Sequence, residues 1–233
     1  MHNLLKLSFT VFFIGVFAFI LPVFLYAQQT ATGCFTTEMG NAQGTPVMPP
    51  DCGNTGGTPS ADRAALLAQL KTLIESGKIT FVHDNDKLGM TNGTGQVKRM
   101  DGVMITIDTK LMQFYVYMVN QGFTFQVESM IGTHSQTSST GGQSAHWTGH
   151  AADISIINGA VVNQTSARAT VLKFVKTVNG LIGKDIAPAQ LLSAGAGSID
   201  PEIDALSMNK HQISPGFTTK YVGDHTNHVH VGY

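Results

Sequence analysis

Hydrophobic and polar positions change rhythm several times along this chain. In "SADRAALLAQLKTLIESGK" the apolar residues recur at helical spacing, Ser60 stands where a helix cap belongs and Gly77 closes the run, which predicts a helix. "ITFV" then predicts a short strand, and "HDNDKLGMTNGTGQVKRMDG", which keeps neither rhythm, reads as a loop. "IDTKLMQFYVYMVNQG" predicts a second helix that opens at Asp108 or Thr109 and stops before Gly122. "FTFQVESMIG" alternates and is rich in β-formers, so it predicts a strand. A Ser/Thr/Gly loop, "THSQTSSTGGQ", leads on to a strand in "ADISII", an amphipathic helix in "SARATVLKFVKTVNGLIG" and a strand in "NHVHVGY". Helices and strands alternate without the regular βαβ beat of a doubly wound fold. The expected class is α+β, with a small, mostly antiparallel sheet flanked by helices.

The first sixty residues read differently. Lys6 precedes "LSFTVFFIGVFAFILPVFLYA", an uncharged apolar run ending on a small residue, the layout of a secretory signal. The run is also long enough to stay as an uncleaved membrane anchor. Either way the remainder is exported, to the periplasm, the cell wall or the exterior. Residues 28–60 are rich in Gly, Thr, Pro and Asn and read as a flexible linker. They hold both cysteines of the chain, Cys34 and Cys52. These either close a disulfide worth about 3 kcal/mol in the chain-entropy model or remain free thiols, and no third Cys or nearby His completes a metal site around them. The domain layout is therefore 1–27 signal or anchor, 28–60 linker and 61–233 folded domain.

Charge narrows the functions further. Only 12% of the 233 residues are charged and the formal net charge is −1, with the basic residues scattered, so no nucleic-acid surface is expected. Membrane contact is expected only through the N-terminal segment. Asp84-Asn85-Asp86 opens like a calcium loop, but Leu88 and Gly95 occupy positions where ligands are needed, which excludes it.

The chemistry gathers in "SAHWTGHAAD", residues 144 to 153. His146 and Asp153 are seven apart, and on one helix they would lie about 10 Å apart along the axis. Ligands of one zinc must approach to within roughly 3–4 Å of each other. If both bind, the segment turns, which Gly149 permits, and Asp153 enters a strand. A third ligand is available among His225, His228 and His230. Strand parity puts His228 and His230 on one face while Val229 and Val231 face the core. Two His and one Asp leave a fourth position open, the pattern of catalytic rather than structural zinc.

Ser144-x-His146-x-x-Gly149-x-Ala151-x-Asp153 resembles the SxHxxGxAxD motif of the LAS metallopeptidases, and His228-x-His230 resembles their second motif. That group includes the M15-type zinc D-Ala-D-Ala carboxypeptidases and the peptidoglycan endopeptidases. The likeness covers roughly residues 61 to 233. It implies a LAS/hedgehog-like α+β domain with zinc held by His146, Asp153 and His230. The implied activity is hydrolysis of peptide bonds in peptidoglycan stem peptides, of carboxypeptidase or endopeptidase type. Some relatives carry a Glu where this chain has Asn227, which cannot take a proton. His228, beside the ligand, and Asp224 are the candidates for the base; relatives with HxH carry a His at that place, so the resemblance implies His228, with Asp224 as a second candidate or as the group that orients it. Ser144 is expected to support the site from behind the ligands and His225 to line it. Relatives often place an Arg on the strand before the motif, yet no Arg lies between Arg99 and Arg168. His134 is the first candidate to replace it. A different outcome, a zinc-bearing cell-wall binding module with little or no catalysis, is implied by the hedgehog signalling domain, which resembles this fold and binds rather than cleaves.

Overall fold

The alternation read from the sequence resolves into five helices and nine strands among the described residues. The computed structural model describes residues 61–132, 134, 136–137, 143–209 and 225–233. The signal or anchor, the linker with Cys34 and Cys52, the capping Ser60 and the candidate Asp224 lie outside them. All described residues belong to one unit, Gly53–Tyr233.

Helix α1 (Ala61–Glu75) runs into β1 (Ile79–Phe81) through Gly77, whose φ of +72° suits a residue without a Cβ. The next segment corrects the sequence reading. The expected loop after His83 contains helix α2 (Asp84–Thr91) and strand β2 (Gln96–Lys98), which pairs with β3 (Met104–Thr106) in a separate two-stranded sheet. A polar first turn and an internal glycine, normally costing about 1 kcal/mol in a helix, hide the helical period of α2. Packing supplies the reason: Met90 and Asp86 are buried, and a Cβ at Gly89 would overlap Val97 of β2.

Helix α3 (Thr109–Asn120) is capped by Asp108, whose side chain accepts the Lys110 N–H at 2.6 Å. Then follow β4 (Phe125–Ser129), β5 (Ala151–Ile157), β6 (Ala160–Val161), α4 (Arg168–Asn179), β7 (Gln190–Leu192), α5 (Pro201–Asp204), β8 (Met208–Asn209) and β9 (Val229–Gly232). The turn between β5 and β6 is Asn158-Gly159, both at positive φ, as a tight hairpin requires. The main sheet runs β1-β4-β5-β9-β7-β8, with β6 added beside β5. It is mixed: β1 and β4 are parallel, and the other pairs are antiparallel.

One face of this sheet meets the helices. Val127, Ile154, Leu191, Val229 and Val231 are buried there, beneath an aromatic cluster of Phe114 and Tyr115 from α3, Phe125 from β4 and Phe174 from α4. The polar residues that alternate with them lie on the opposite face. That parity carries the candidate site.

Candidate metal centre

Strand pairing brings the two ends of the chemistry together. Asp153 of β5 lies directly opposite His230 of β9, and Ser129 of β4 lies on its other side. Directly opposed residues in antiparallel strands hold their Cβ atoms about 5 Å apart, close enough for short side chains to touch. Asp153 Oδ1 is 2.9 Å from His230 Nδ1. The segment before β5 is a compact turn rather than a helix, with Gly149 N–H donating to the His146 carbonyl and His150 N–H to the Ala145 carbonyl. Gly149 has φ +83°, and a Cβ there would sit 2.6 Å from the Thr106 carbonyl oxygen, so the turn admits only glycine. Ser144 opens the turn: it is buried, its N–H donates to the Gln136 carbonyl and its own carbonyl accepts from Trp147. Arg99 fastens the turn from outside, with its guanidinium 3.9 Å over the Trp147 ring and an N–H donated to the Trp147 carbonyl.

The protons can be placed. His146 Nδ1 lies 2.9 Å from the Met130 carbonyl, which only accepts, so Nδ1 carries a proton. His230 Nε2 donates to Gln190 Oε1 at 3.1 Å. Burial pulls the Asp153 carboxyl upward, but the charge a protonated His146 ring carries and the hydrogen bonds from His134, His146 and His230 outweigh it and hold it well below the usual carboxylate range. Burial lowers the His230 pKa, against the pull of Asp153. Three potential ligand atoms face one another: His146 Nε2 is 3.1 Å from His230 Nδ1 and 3.3 Å from Asp153 Oδ1. Atoms that converge in this way share protons among themselves or hold a cation between them. His134, which is half-buried, and the buried His146 and Asp153 also place one ligand atom each within 4.8 Å of one another, a cluster that can hold a metal ion.

His134 enters from the opposite side of Asp153. Its Nε2 lies 2.9 Å from Asp153 Oδ2, and its ring stacks on His146 with centroids 3.7 Å apart and planes 9° apart. His228 stands at the open side, Nε2 3.5 Å from Asp153 Oδ1. Its Nδ1 donates to Asn227 Oδ1 at 2.7 Å, so Nε2 is free to accept a proton. Burial, partly opposed by Asp153, pushes the His228 pKa down to about 4. His225 lies beside it, its ring 4.7 Å from His228 and 5.8 Å from His230. His150 turns away from this cluster to face Asp108 at 3.5 Å.

Two contributors escape a reading of the sequence. Gln190 sets the His230 tautomer from β7, a strand too short to show a period. Asp86, set aside above as a failed calcium ligand, is buried and accepts backbone N–H groups from Met130, Ile131 and Gly132 at 3.0, 3.3 and 3.2 Å. The polar face beside His228 opens into a cleft of about 250 Å³ lined by Gln126, Glu128, Asn163 and Asn227. No family model matches the chain, and no curated protein or solved structure matches it either.

Proposed function

We propose that this chain is a zinc-dependent peptidase of the LAS type, acting on the peptide stems of peptidoglycan. The observation that carries the reading is the meeting of three potential ligand atoms, His146 Nε2, Asp153 Oδ1 and His230 Nδ1, beside His228 on an open face. Their separations of 2.9–3.3 Å suit donors that each stand about 2.0–2.2 Å from one tetrahedral zinc. The motif resemblance supports the same three residues.

His134 falls outside that ligand set on geometric grounds. A metal lies near the plane of each imidazole that binds it. Two rings that are parallel and 3.7 Å apart share no such point, whereas His230 is tilted 59° to His146. His134 instead donates to the second oxygen of Asp153 and orients the carboxylate.

Zinc held there would supply Lewis acidity and lower the pKa of a water molecule towards 7. The residues of the chain do the rest. Asn227 fixes the His228 tautomer, and His228 Nε2 takes a proton on the open side and returns it to the leaving amine. The cleft beside His228 offers amide and carboxylate groups to an extended peptide. Cleavage of purified stem peptides, lost on chelation, restored by zinc and absent in His146→Ala, is the expected result. Zinc-loaded protein that cleaves no stem peptide would overturn the proposal.

One observation favours a second reading, a zinc-bearing wall-binding module. His134 is engaged with Asp153, so it is not poised as an oxyanion donor, and no described Arg lies where relatives carry one. Loss of one such donor costs about 3–4 kcal/mol in other hydrolases. Zinc-dependent binding of peptidoglycan fragments without turnover would select this reading.

A further inference from the structure

We propose that Asp86 is a positioning residue for the metal centre, acting on His146 through a single peptide group. The proposal rests on the metal reading given above. The peptide between Met130 and Ile131 has its N–H on one side and its carbonyl on the other, since no described peptide bond is cis. The N–H side, Ile131 N, donates to Asp86 Oδ1 at 3.3 Å. The carbonyl side, Met130 O, accepts the His146 Nδ1 proton at 2.9 Å. Carboxylate, peptide and imidazole thus form one line of hydrogen bonds ending at His146 Nε2, the atom that faces Asp153 and His230.

Three features make this more than loop anchoring. Met130 and Ile131 are fully buried and Asp86 is 1% exposed, so water does not compete for the line. No described cation pairs with Asp86, so its charge is balanced by the three N–H groups of residues 130–132 alone. Hydrogen bonds in series polarise one another in a low dielectric, and a negative charge at one end makes the Met130 oxygen a stronger acceptor. A stronger acceptor holds the proton on Nδ1 and makes Nε2 a better electron donor. Histidine ligands are commonly tuned by a carboxylate touching the ring directly; here one peptide is interposed. The same clamp holds Gly132, two residues before His134 in the chain.

The test uses the full chain and its Asp86→Asn and Asp86→Glu variants, with thermal melting as a check of folding. The first readout is the His146 ring in the metal-free protein, by proton and nitrogen NMR. The second is zinc affinity by chelator competition, with the visible spectrum of the cobalt-substituted protein beside it. Folded Asp86→Asn is expected to move the His146 Nδ1 proton upfield, to alter the cobalt spectrum and to bind zinc about 10- to 100-fold more weakly, and Asp86→Glu to restore part of each. An unchanged Nδ1 proton, or unchanged zinc affinity, in folded Asp86→Asn overturns the proposal. If wild type takes up no zinc, the metal reading falls and the Nδ1 proton alone decides the relay. If Asp86→Asn does not fold, wild type still decides: the His146 proton found on Nε2 overturns the idea, and found on Nδ1 in a strong hydrogen bond supports it.

Discussion

Val231 and His230 are neighbours in β9, and their side chains leave the strand in opposite directions into different chemistry. Val231 joins an apolar layer in which many residues share the work, so each contact is replaceable by its neighbours at a graded cost. His230 joins a set of polar groups in which each proton assignment depends on another residue: Gln190 for His230, Met130 for His146, Asn227 for His228. On the first face a substitution loses area. On the second it leaves a partner with the wrong proton.

The comparison predicts separable phenotypes. The largest effect belongs to the polar face: His228→Gln should lower stem-peptide hydrolysis 10²- to 10⁴-fold, about 3–5 kcal/mol of barrier, with zinc content unchanged. Loss of zinc in a folded variant would instead make His228 a ligand. On the apolar face, Phe174→Ala should cost about 3–5 kcal/mol in urea unfolding, because this fully buried ring contacts Phe114, Phe123 and Phe125. Zinc bound per folded molecule should stay the same, and a drop would show that the two faces are coupled.

Acid should sharpen the contrast. The His228 pKa is about 4 in the folded chain and 6.5 when unfolded. The folded state therefore resists a proton that the unfolded state takes up. Metal-free protein should lose about 3 kcal/mol of stability between pH 6.5 and 4 from this ring, the contribution being complete above 6.5. His230, also lowered, adds in the same direction. Denaturant midpoints measured across that range should flatten by about one proton in His228→Gln, and an equal slope in both proteins contradicts the assignment. The smallest effect is expected at His134→Ala: zinc affinity about 10-fold weaker, as for an outer partner of a ligating carboxylate. A loss beyond about 1,000-fold would place His134 among the ligands.

Much of this was legible where local period and long-range pairing agree. The alternation of His228, Val229, His230 and Val231 tells which side faces the core, and the seven-residue spacing with Gly149 between His146 and Asp153 tells that the segment turns. Helix α2 was not legible, because its glycine and polar start obscure a period that contact with Val97 rescues. The β5–β6 hairpin carries its signal locally, in Asn158-Gly159. Asp86 and Gln190 carry no local signal at all. Their importance depends on which carbonyl or ring they meet across the fold, and only the assembled sheet brings those together.

Strand order has one more consequence, for the sequence of events in synthesis. β9 follows β7 and β8 along the chain, yet it lies between β5 and β7. Without it, the other strands would pair only as β1-β4-β5-β6 and β7-β8, leaving Ala151–Ile154 of β5 and the facing edge of β7 without a partner strand. Insertion of one strand covers both edges and brings His230 opposite Asp153 together. On the proposed reading, a chain without β9 would therefore present two strand edges and lack His230, and both would be supplied in the same step.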